Sequence, residues 1–237
     1  LPAGKSPDEV PELVIWDVGL GAAANAMAAV QCYEAAAAQG PVRRLKLISF
    51  ENDLDSLRLA LTHKSYFPYL RHSGPDAVLA RGQWTSRQFP GLSWELLEGD
   101  FWERAPQASA KPDLVFYDFF SHKTDTACWK LASFARLFEL VRSERSAELF
   151  TYSASTAVRA GLLHAGFFVG AGVGTGVKKD TTVALTSGWA GAPRHALLGA
   201  EWLGKWDRSQ AKFPDGLTEP ERVAFEDKIR RHPQFAG

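Results

Sequence analysis

The sequence is poor in cysteine and has no excess of charge of either sign. Its only two cysteines, Cys32 and Cys128, lie far apart and outside any CxxC motif, which argues against a disulfide scaffold and gives no support to a zinc site. The 27 Lys and Arg residues are balanced by 27 Asp and Glu residues, so the chain is not a globally basic nucleic-acid binder. Two separated thiols indicate a reducing compartment, and we expect a cytoplasmic protein without a metal.

Long hydrophobic runs are also missing. The longest one, LLHAGFFVGAGVGTGV, is interrupted by glycines and is too short to span a bilayer. The opening LPAGKSPDEVPE lacks the apolar region of a signal peptide. We therefore expect a soluble protein that does not interact with a membrane. Because the chain begins with Leu1 and not with Met, we also expect that an N-terminal segment is missing. The sequence indicates nothing about the oligomeric state.

What the sequence does contain is a regular alternation of short apolar runs with longer helical patterns. This order is typical of a parallel β-sheet with helices on both faces. We predict seven strands, in chain order ELVIWDVG, RLKLISFE, SWELLEGD, PDLVFYDFF, AELFTYSAS, FFVGAGVG and TTVALTS. The last two are close enough in sequence to form an antiparallel hairpin. The prediction is an α/β, Rossmann-like domain over residues 1–187 with a mostly parallel sheet.

Residues 188–237 have a different composition, rich in Trp, Pro and charged side chains. Within them, Thr218 and Glu221 have the spacing of a capping box, which predicts the start of a helix. We expect this region to be an extension whose terminal helix packs on the preceding domain.

A loop with two glycines follows the first predicted strand. In WDVGLGAAAN, Gly19 and Gly21 allow the backbone to turn sharply and approach a ligand, toward which the N–H groups of the next helix point. A dinucleotide-binding motif would have another glycine three residues after Gly21, but Ala24 stands there. For the glycine pair alone, an ordinary tight turn is the alternative.

Carboxylates recur at the carboxyl ends of the first four predicted strands, the edge where open α/β sheets bind ligands. These acids are Asp17, Glu51, Asp100 and Asp118. An acid after the second strand is suited to accept hydrogen bonds from two ribose hydroxyls. For each acid alone, a helix cap or a solvated turn is the alternative. An acid already in the first junction favours a cationic cofactor such as S-adenosylmethionine over the anionic NAD of a dehydrogenase.

Six segments, in this order, resemble the methyltransferase part of the MnmC-type tRNA 5-methylaminomethyl-2-thiouridine methyltransferases. They are DVGLGAAAN, ISFE, HKSYFPYL, LEGDFWE, YDFFSHKTDTACW and TYSASTAVRAGLLHAGFFVGAGVGTGVKKDTTVAL. The resemblance covers residues 13–186, and its most specific part is the last segment, which includes Arg159 and Asp180. It implies a class I S-adenosylmethionine methyltransferase acting on an aminomethyl uridine at the tRNA wobble position. We expect the stand-alone form, without the flavin-dependent oxidase domain that some members carry.

The resemblance also implies roles for individual residues. The methionine part of the cofactor would be lined by Asp17, Gly19 and Gly21, with Asn25 retained nearby. Glu51 would bind the ribose and Asp100 the adenine. Asp118 would face the acceptor amine as the catalytic residue. The candidate substrate-binding residues are Phe119, Phe120, Ser153, Lys178 and Lys179. For Ser153, capping of the next helix is an equally good alternative.

Two departures from the family pattern keep other functions open. Ala23 replaces the family's usual third glycine, and the bulky Phe119 follows Asp118 where members have glycine or alanine. One alternative is a class I methyltransferase for a small-molecule amine or hydroxyl. Another is a non-catalytic homologue that binds S-adenosylmethionine or tRNA. Assay of methyl transfer to undermodified tRNA and to small amines would separate them.

Overall fold

The computed structural model describes residues 5–119, 127–174, 180–187, 195–214 and 216–236. The chain divides into two compact units, Leu1–Phe116 and Tyr117–Gly237. Each unit contains strands and helices, so the predicted α/β class is confirmed.

The first unit is built on strands with buried apolar side chains. Its helices and strands are, in chain order, β1 (Leu13–Val18), α1 (Ala24–Ala37), β2 (Leu45–Glu51), α2 (Asp55–Thr62), α3 (Ser73–Arg81), β3 (Gln83–Thr85), β4 (Leu92–Glu98), α4 (Phe101–Arg104) and β5 (Leu114–Tyr117). The strands run in the order β3-β4-β2-β1-β5. The last residue of β5 belongs to the second unit.

Strands β1, β2 and β4 are parallel, as their alternation with helices predicts. Their register places Asp17 beside Ser49 and Glu51 beside Glu98. Because the strands end together, the loops that follow them lie at the same edge of the sheet, where ligands bind in open α/β folds. This edge carries the predicted cofactor residues of the first unit.

Strand β3 lies in a segment for which the sequence predicts only loops and one short helix. It is antiparallel to β4, with Gln83 opposite Glu95. Three residues are too few to show an alternating pattern, which is why sequence periodicity does not detect it. The prediction of seven strands is therefore wrong, and the described residues form eight.

An aromatic cluster supports the loops after β2 and β4. The ring centroid of Phe50 is 5.2 Å from that of Trp16 and 5.1 Å from that of Phe101, both in edge-to-face geometry. All three rings are buried. Such aromatic pairs contribute about 0.5–1.5 kcal/mol each beyond the burial of their area. The cluster thus fixes the start of α4 against β1 and β2.

The second unit combines antiparallel strands with helices. Its elements are α5 (Leu131–Val141), β6 (Glu148–Thr151), α6 (Thr156–Ala165), β7 (Phe168–Gly172), β8 (Thr181–Leu185), α7 (Ala200–Asp207) and α8 (Glu219–Arg230). Strands β6 and β7 each pair with β8 in the antiparallel sense. The predicted closing hairpin is confirmed as β7 and β8.

Helix α8 begins at the predicted capping box. The Thr218 N–H donates to Glu221 Oε2 at 2.7 Å. The buried Phe225 of α8 stacks on His164 of α6, with ring centroids 4.8 Å apart. These contacts pack the terminal helix on α6.

Across the described ranges, no helix has both the length and the apolar character needed to cross a membrane. Nor do the described residues include a cluster of three or more His, Cys, Asp or Glu side chains arranged to hold a metal ion.

Candidate functional site

The loop between β1 and α1 uses left-handed backbone conformations. Gly19 has φ 88° and Gly21 has φ 51°, values that side-chain-bearing residues rarely adopt. The Gly19 N–H donates to the carbonyl oxygen of Phe50 at 3.0 Å, so β2 anchors the beginning of the loop. A Cβ atom at Gly21 would meet no other atom within 4 Å. The glycine is therefore required for its backbone conformation and leaves open space beside the loop.

Ala23 continues this pattern although it is not a glycine. It has φ 62° and ψ 25° and directly precedes α1. Among the described residues it is the only non-glycine with positive φ. The left-handed conformation costs an L-residue roughly 1–2 kcal/mol. The backbone at Ala23 thus has a conformation suited to glycine, the residue that the family resemblance leads us to expect there.

Glu51 ties this loop to the one that follows β2. Its Oε2 accepts a hydrogen bond from the Gly21 N–H at 2.9 Å. Its Oε1 accepts from the N–H groups of Asn52 and Asp53 at 2.9 and 3.1 Å. A carboxylate has about four acceptor positions, so this one keeps capacity for a further donor. Glu51 is the predicted ribose-binding residue, and its bond to Gly21 is a contact that the sequence alone does not reveal.

Asp17 is buried, with 1% of its surface exposed. Its Oδ2 accepts a hydrogen bond from Ser49 Oγ at 2.9 Å, and Ser49 Oγ accepts one from Trp94 Nε1 at 2.9 Å. The hydrogen bonds offset the cost of burying a carboxylate. They also link the three neighbouring strands β1, β2 and β4. The predicted contact of Asp17 with the cofactor remains a prediction.

Asp100 caps helix α4. Its Oδ1 accepts hydrogen bonds from the N–H groups of Trp102 and Glu103 at 2.8 and 3.2 Å. This is the capping role that the sequence leaves open as an alternative. Asp100 is exposed after β4, so its predicted role toward adenine stays a prediction. Asn25 lies in the first turn of α1, next to the glycine loop.

A pocket of about 630 Å³ lies next to the loop between β1 and α1. It is lined mainly by apolar and aromatic side chains: Ala22, Ser56, Leu59, Ala60, His63, Tyr66 and Phe67. The hydroxyl of Tyr69 donates to the carbonyl oxygen of Ala22 at 3.2 Å. The HKSYFPYL segment therefore contacts the glycine loop, a role that the sequence does not assign to it.

The predicted acceptor residues lie in the second unit. Asp118 and Phe119 directly follow β5 and are half-buried. The rings of Phe119 and Trp129 lie edge-on to Tyr117, at centroid distances of 5.0 and 5.5 Å. The hydroxyl of Tyr117 donates to the carbonyl oxygen of Cys128 at 2.7 Å. Tyr117 thus holds the rings of Phe119 and Trp129 at the end of β5, and its position directly before Asp118 in YDFF is the signal that could have indicated this.

Ser153 lies in the loop between β6 and α6. Its Oγ accepts the Ser155 N–H at 3.4 Å. Ser155 is the residue that precedes α6, and its side chain makes no capping hydrogen bond. The remaining candidate residues, Phe120, Lys178 and Lys179, lie outside the described residues.

Comparison with known proteins defines the class of fold. Residues 80–187 match the model of a family of S-adenosyl-L-methionine-dependent methyltransferases. The solved structure of MNMC2 from Aquifex aeolicus matches 94% of this chain and 69% of its own chain, with a TM-score of 0.63 and 22% identity. The chain therefore has the class I S-adenosylmethionine-dependent methyltransferase fold.

Comparison with individual curated proteins shows a more specific similarity. The tRNA 5-methylaminomethyl-2-thiouridine biosynthesis bifunctional protein MnmC of Chromobacterium violaceum is 30% identical over 206 residues. That of Pseudomonas aeruginosa is 31% identical over 205 residues. Each alignment covers 81% of this chain and 29% of the relative, so the chain spans less than a third of these proteins. The resemblance seen in the sequence is confirmed: this chain is a relative of the methyltransferase part of MnmC.

Proposed function

We propose that this protein is an S-adenosylmethionine-dependent N-methyltransferase. It converts 5-aminomethyl-(2-thio)uridine to 5-methylaminomethyl-(2-thio)uridine at the wobble position of tRNA. The observation that carries the proposal is the glycine loop at the carboxyl end of β1, tied to the carboxylate of Glu51 at 2.9 Å. Similarity to the MnmC proteins, whose names state this tRNA modification, supports the choice of substrate.

The residues of the first unit suit the cofactor. Left-handed backbone at Gly19 and Gly21 lets main-chain groups approach a ligand closely. Glu51 is an acceptor suited to ribose hydroxyls, and the exposed Asp100 is an acceptor suited to the adenine amino group. Asp17 and Asn25 complete this set. Bound at these residues, S-adenosylmethionine supplies an electrophilic methyl group on a sulfonium centre.

In the second unit, the task of Asp118 is to handle the acceptor amine. An alkylammonium ion has no lone pair, and with a pKa near that of lysine its deprotonation at neutral pH costs about 4 kcal/mol. The Asp118 carboxylate holds the amine and accepts its proton. A nearby carboxylate alone raises the pKa of the ammonium, whereas apolar rings lower it. The rings of Phe119 and Phe120 therefore have to exclude water for transfer to proceed, with Ser153, Lys178 and Lys179 binding the RNA.

Methyl transfer to tRNA carrying 5-aminomethyl-2-thiouridine tests this function. The protein is incubated with this RNA and methyl-labelled S-adenosylmethionine, and the nucleosides are analysed by mass spectrometry. We expect labelled 5-methylaminomethyl-2-thiouridine. Transfer to small primary amines but not to the RNA would overturn the substrate assignment. Absence of cofactor binding in calorimetry would overturn the assignment as a methyltransferase.

The variant Asp118→Ala tests the proposed division of labour. Loss of a group that accepts a proton typically lowers turnover by about 100-fold or more. We therefore expect kcat to fall by this amount while cofactor affinity in calorimetry stays within about twofold, because the cofactor residues lie in the first unit. Full turnover in this variant would remove Asp118 from the mechanism.

A further inference from the structure

A buried arginine connects three segments of the second unit. Arg159 lies in α6, and its side chain is 5% exposed. Its Nε donates to Thr182 Oγ1 at 3.0 Å. Its terminal Nη2 donates to Asp180 Oδ1 at 2.7 Å and to the carbonyl oxygen of Thr181 at 2.8 Å. All three acceptors belong to the beginning of β8 or to the residue before it.

Thr182 connects Arg159 to the loop after β6. Its Oγ1 accepts the bond from Arg159 and donates its own proton to the carbonyl oxygen of Ser153 at 2.6 Å. The single hydroxyl group therefore joins α6, β8 and the loop that holds a candidate substrate-binding residue. A buried guanidinium retains its charge, so it is stable only while these acceptors surround it.

We infer that Arg159 and Thr182 are positioning residues that hold the Ser153 loop and the start of β8 in the geometry required to bind the RNA substrate. The inference rests on the proposed function. Ser153 precedes α6, and its carbonyl oxygen accepts the Thr182 hydroxyl. Arg159 acts through Thr182 and the Ser153 loop, because its enclosed side chain donates to the protein itself.

The strand offers a matched pair of substitutions to test this. Thr182→Val, near the start of β8, and Thr186→Val, directly after its end, each replace a threonine with an isosteric side chain that lacks the hydroxyl. The hydroxyl oxygen of Thr186 accepts the N–H of Ala147 at 2.9 Å, so this variant loses one hydrogen bond, whereas Thr182→Val loses two. The two variants share the chemical change and differ in which end of the strand is altered.

The experiment measures KM for the aminomethyl-bearing tRNA, KM for S-adenosylmethionine, kcat and thermal stability. We expect Thr182→Val to raise KM for the RNA about tenfold, with cofactor KM and kcat within about twofold of wild type. Thr182→Ser, which keeps the hydroxyl, should restore the wild-type value. Thr186→Val should leave the RNA KM unchanged although it also lowers stability.

Several outcomes would overturn the inference. Equal RNA KM values in the two valine variants would show that Thr182 serves stability alone, while wild-type methylation would leave the proposed function standing. A rise in cofactor KM with Thr182→Val would show that Thr182 affects cofactor binding and not only RNA binding. A wild-type protein that binds the cofactor but does not methylate the RNA would overturn the proposed substrate and this inference with it.

Discussion

Each unit contains a buried charged side chain that gathers hydrogen bonds from several segments, but the two charges have opposite sign. Glu51 in the first unit accepts from three backbone N–H groups. Arg159 in the second unit donates to two side chains and one carbonyl oxygen. Backbone N–H groups are supplied by any residue except proline, whereas two of the three partners of Arg159 are particular side chains, those of Thr182 and Asp180.

The difference bears on what each residue does. The Glu51 carboxylate retains acceptor capacity after three hydrogen bonds, so it can both hold the loops and contact a ligand hydroxyl. Arg159 is enclosed and directed at its own chain, so it affects a ligand only through its neighbours. The first unit should therefore respond to substitution in ligand affinity directly, and the second through the geometry of its loops.

The largest effect in this comparison should come from Glu51→Gln. The amide keeps the length of the side chain. It replaces one of the two accepting oxygens, both of which face backbone N–H groups, with a donating NH₂ group. Hydrogen bonds to charged groups contribute about 1.5–3 kcal/mol, so we expect the Kd for S-adenosylmethionine to rise about 10- to 100-fold. Isothermal titration calorimetry measures this change.

The matched control for Glu51→Gln is Asp113→Asn. Asp113 is also a buried carboxylate of the first unit, and its Oδ2 accepts the Val14 N–H at 2.9 Å near the amino end of β1. Its amide variant should lower Tm but leave cofactor affinity unchanged. Similar losses of affinity in both variants would show that Glu51 contributes only general stability.

Acidification should have a smaller effect, which is a loss of stability in the second unit. Burial, with a lesser contribution from the charge of Lys228, lowers the pKa of His164 to about 4. The unfolded chain binds this proton at an ordinary pKa near 6.5. The stability that His164 contributes is therefore complete above pH 6.5 and is lost as the pH falls toward 4. His232, whose pKa burial also lowers, acts in the same direction.

His164→Phe isolates the contribution of this histidine. The phenyl ring can stack on Phe225 but cannot titrate, so Tm should fall less between pH 7 and pH 4.5 than in the wild type. Thermal denaturation followed by circular dichroism measures the slope. Replacing the exposed His63 with Gln should leave the slope as it is in the wild type. An unchanged slope in His164→Phe would contradict the assigned origin of the acid sensitivity.

The comparison of the two units also indicates what a sequence can predict. The parallel strands and the closing hairpin were predictable because their apolar runs are long enough to show a pattern, whereas β3 has only three residues. The acids at the strand ends were identifiable, but the bond from Gly21 to Glu51 joins residues far apart in sequence. Arg159 was noticed through family resemblance, and only the fold reveals Thr182 as its partner.

Ala23 shows, at a single residue, how far the sequence alone predicts the structure. By the family resemblance Ala23 is a departure, and this departure keeps a non-catalytic homologue open as an alternative. The structure shows that the backbone still has the left-handed conformation, with φ 62°. Side-chain identity and backbone conformation are separable here, because a methyl group raises the energy of this conformation without forbidding it.

The smallest predicted effect is a gain in stability from Ala23→Gly. Glycine adopts positive φ without the steric penalty, which favours the variant by roughly 1–2 kcal/mol. The greater conformational freedom of glycine in the unfolded chain offsets about 0.4–1 kcal/mol of this gain. We expect a net stabilisation between about 0 and about 1.6 kcal/mol, and each kcal/mol raises Tm by about 2–4 °C for a chain of this size.

Ala28→Gly is the control with the opposite sign. Ala28 is exposed within α1, where glycine costs about 1 kcal/mol relative to alanine. Differential scanning calorimetry of the two variants should therefore give shifts of Tm in opposite directions. Ala23 is also fully buried within the core cluster of its unit. If both glycines lowered Tm, packing of the Ala23 methyl group would outweigh the conformational penalty, and the loop would depend on alanine at this position.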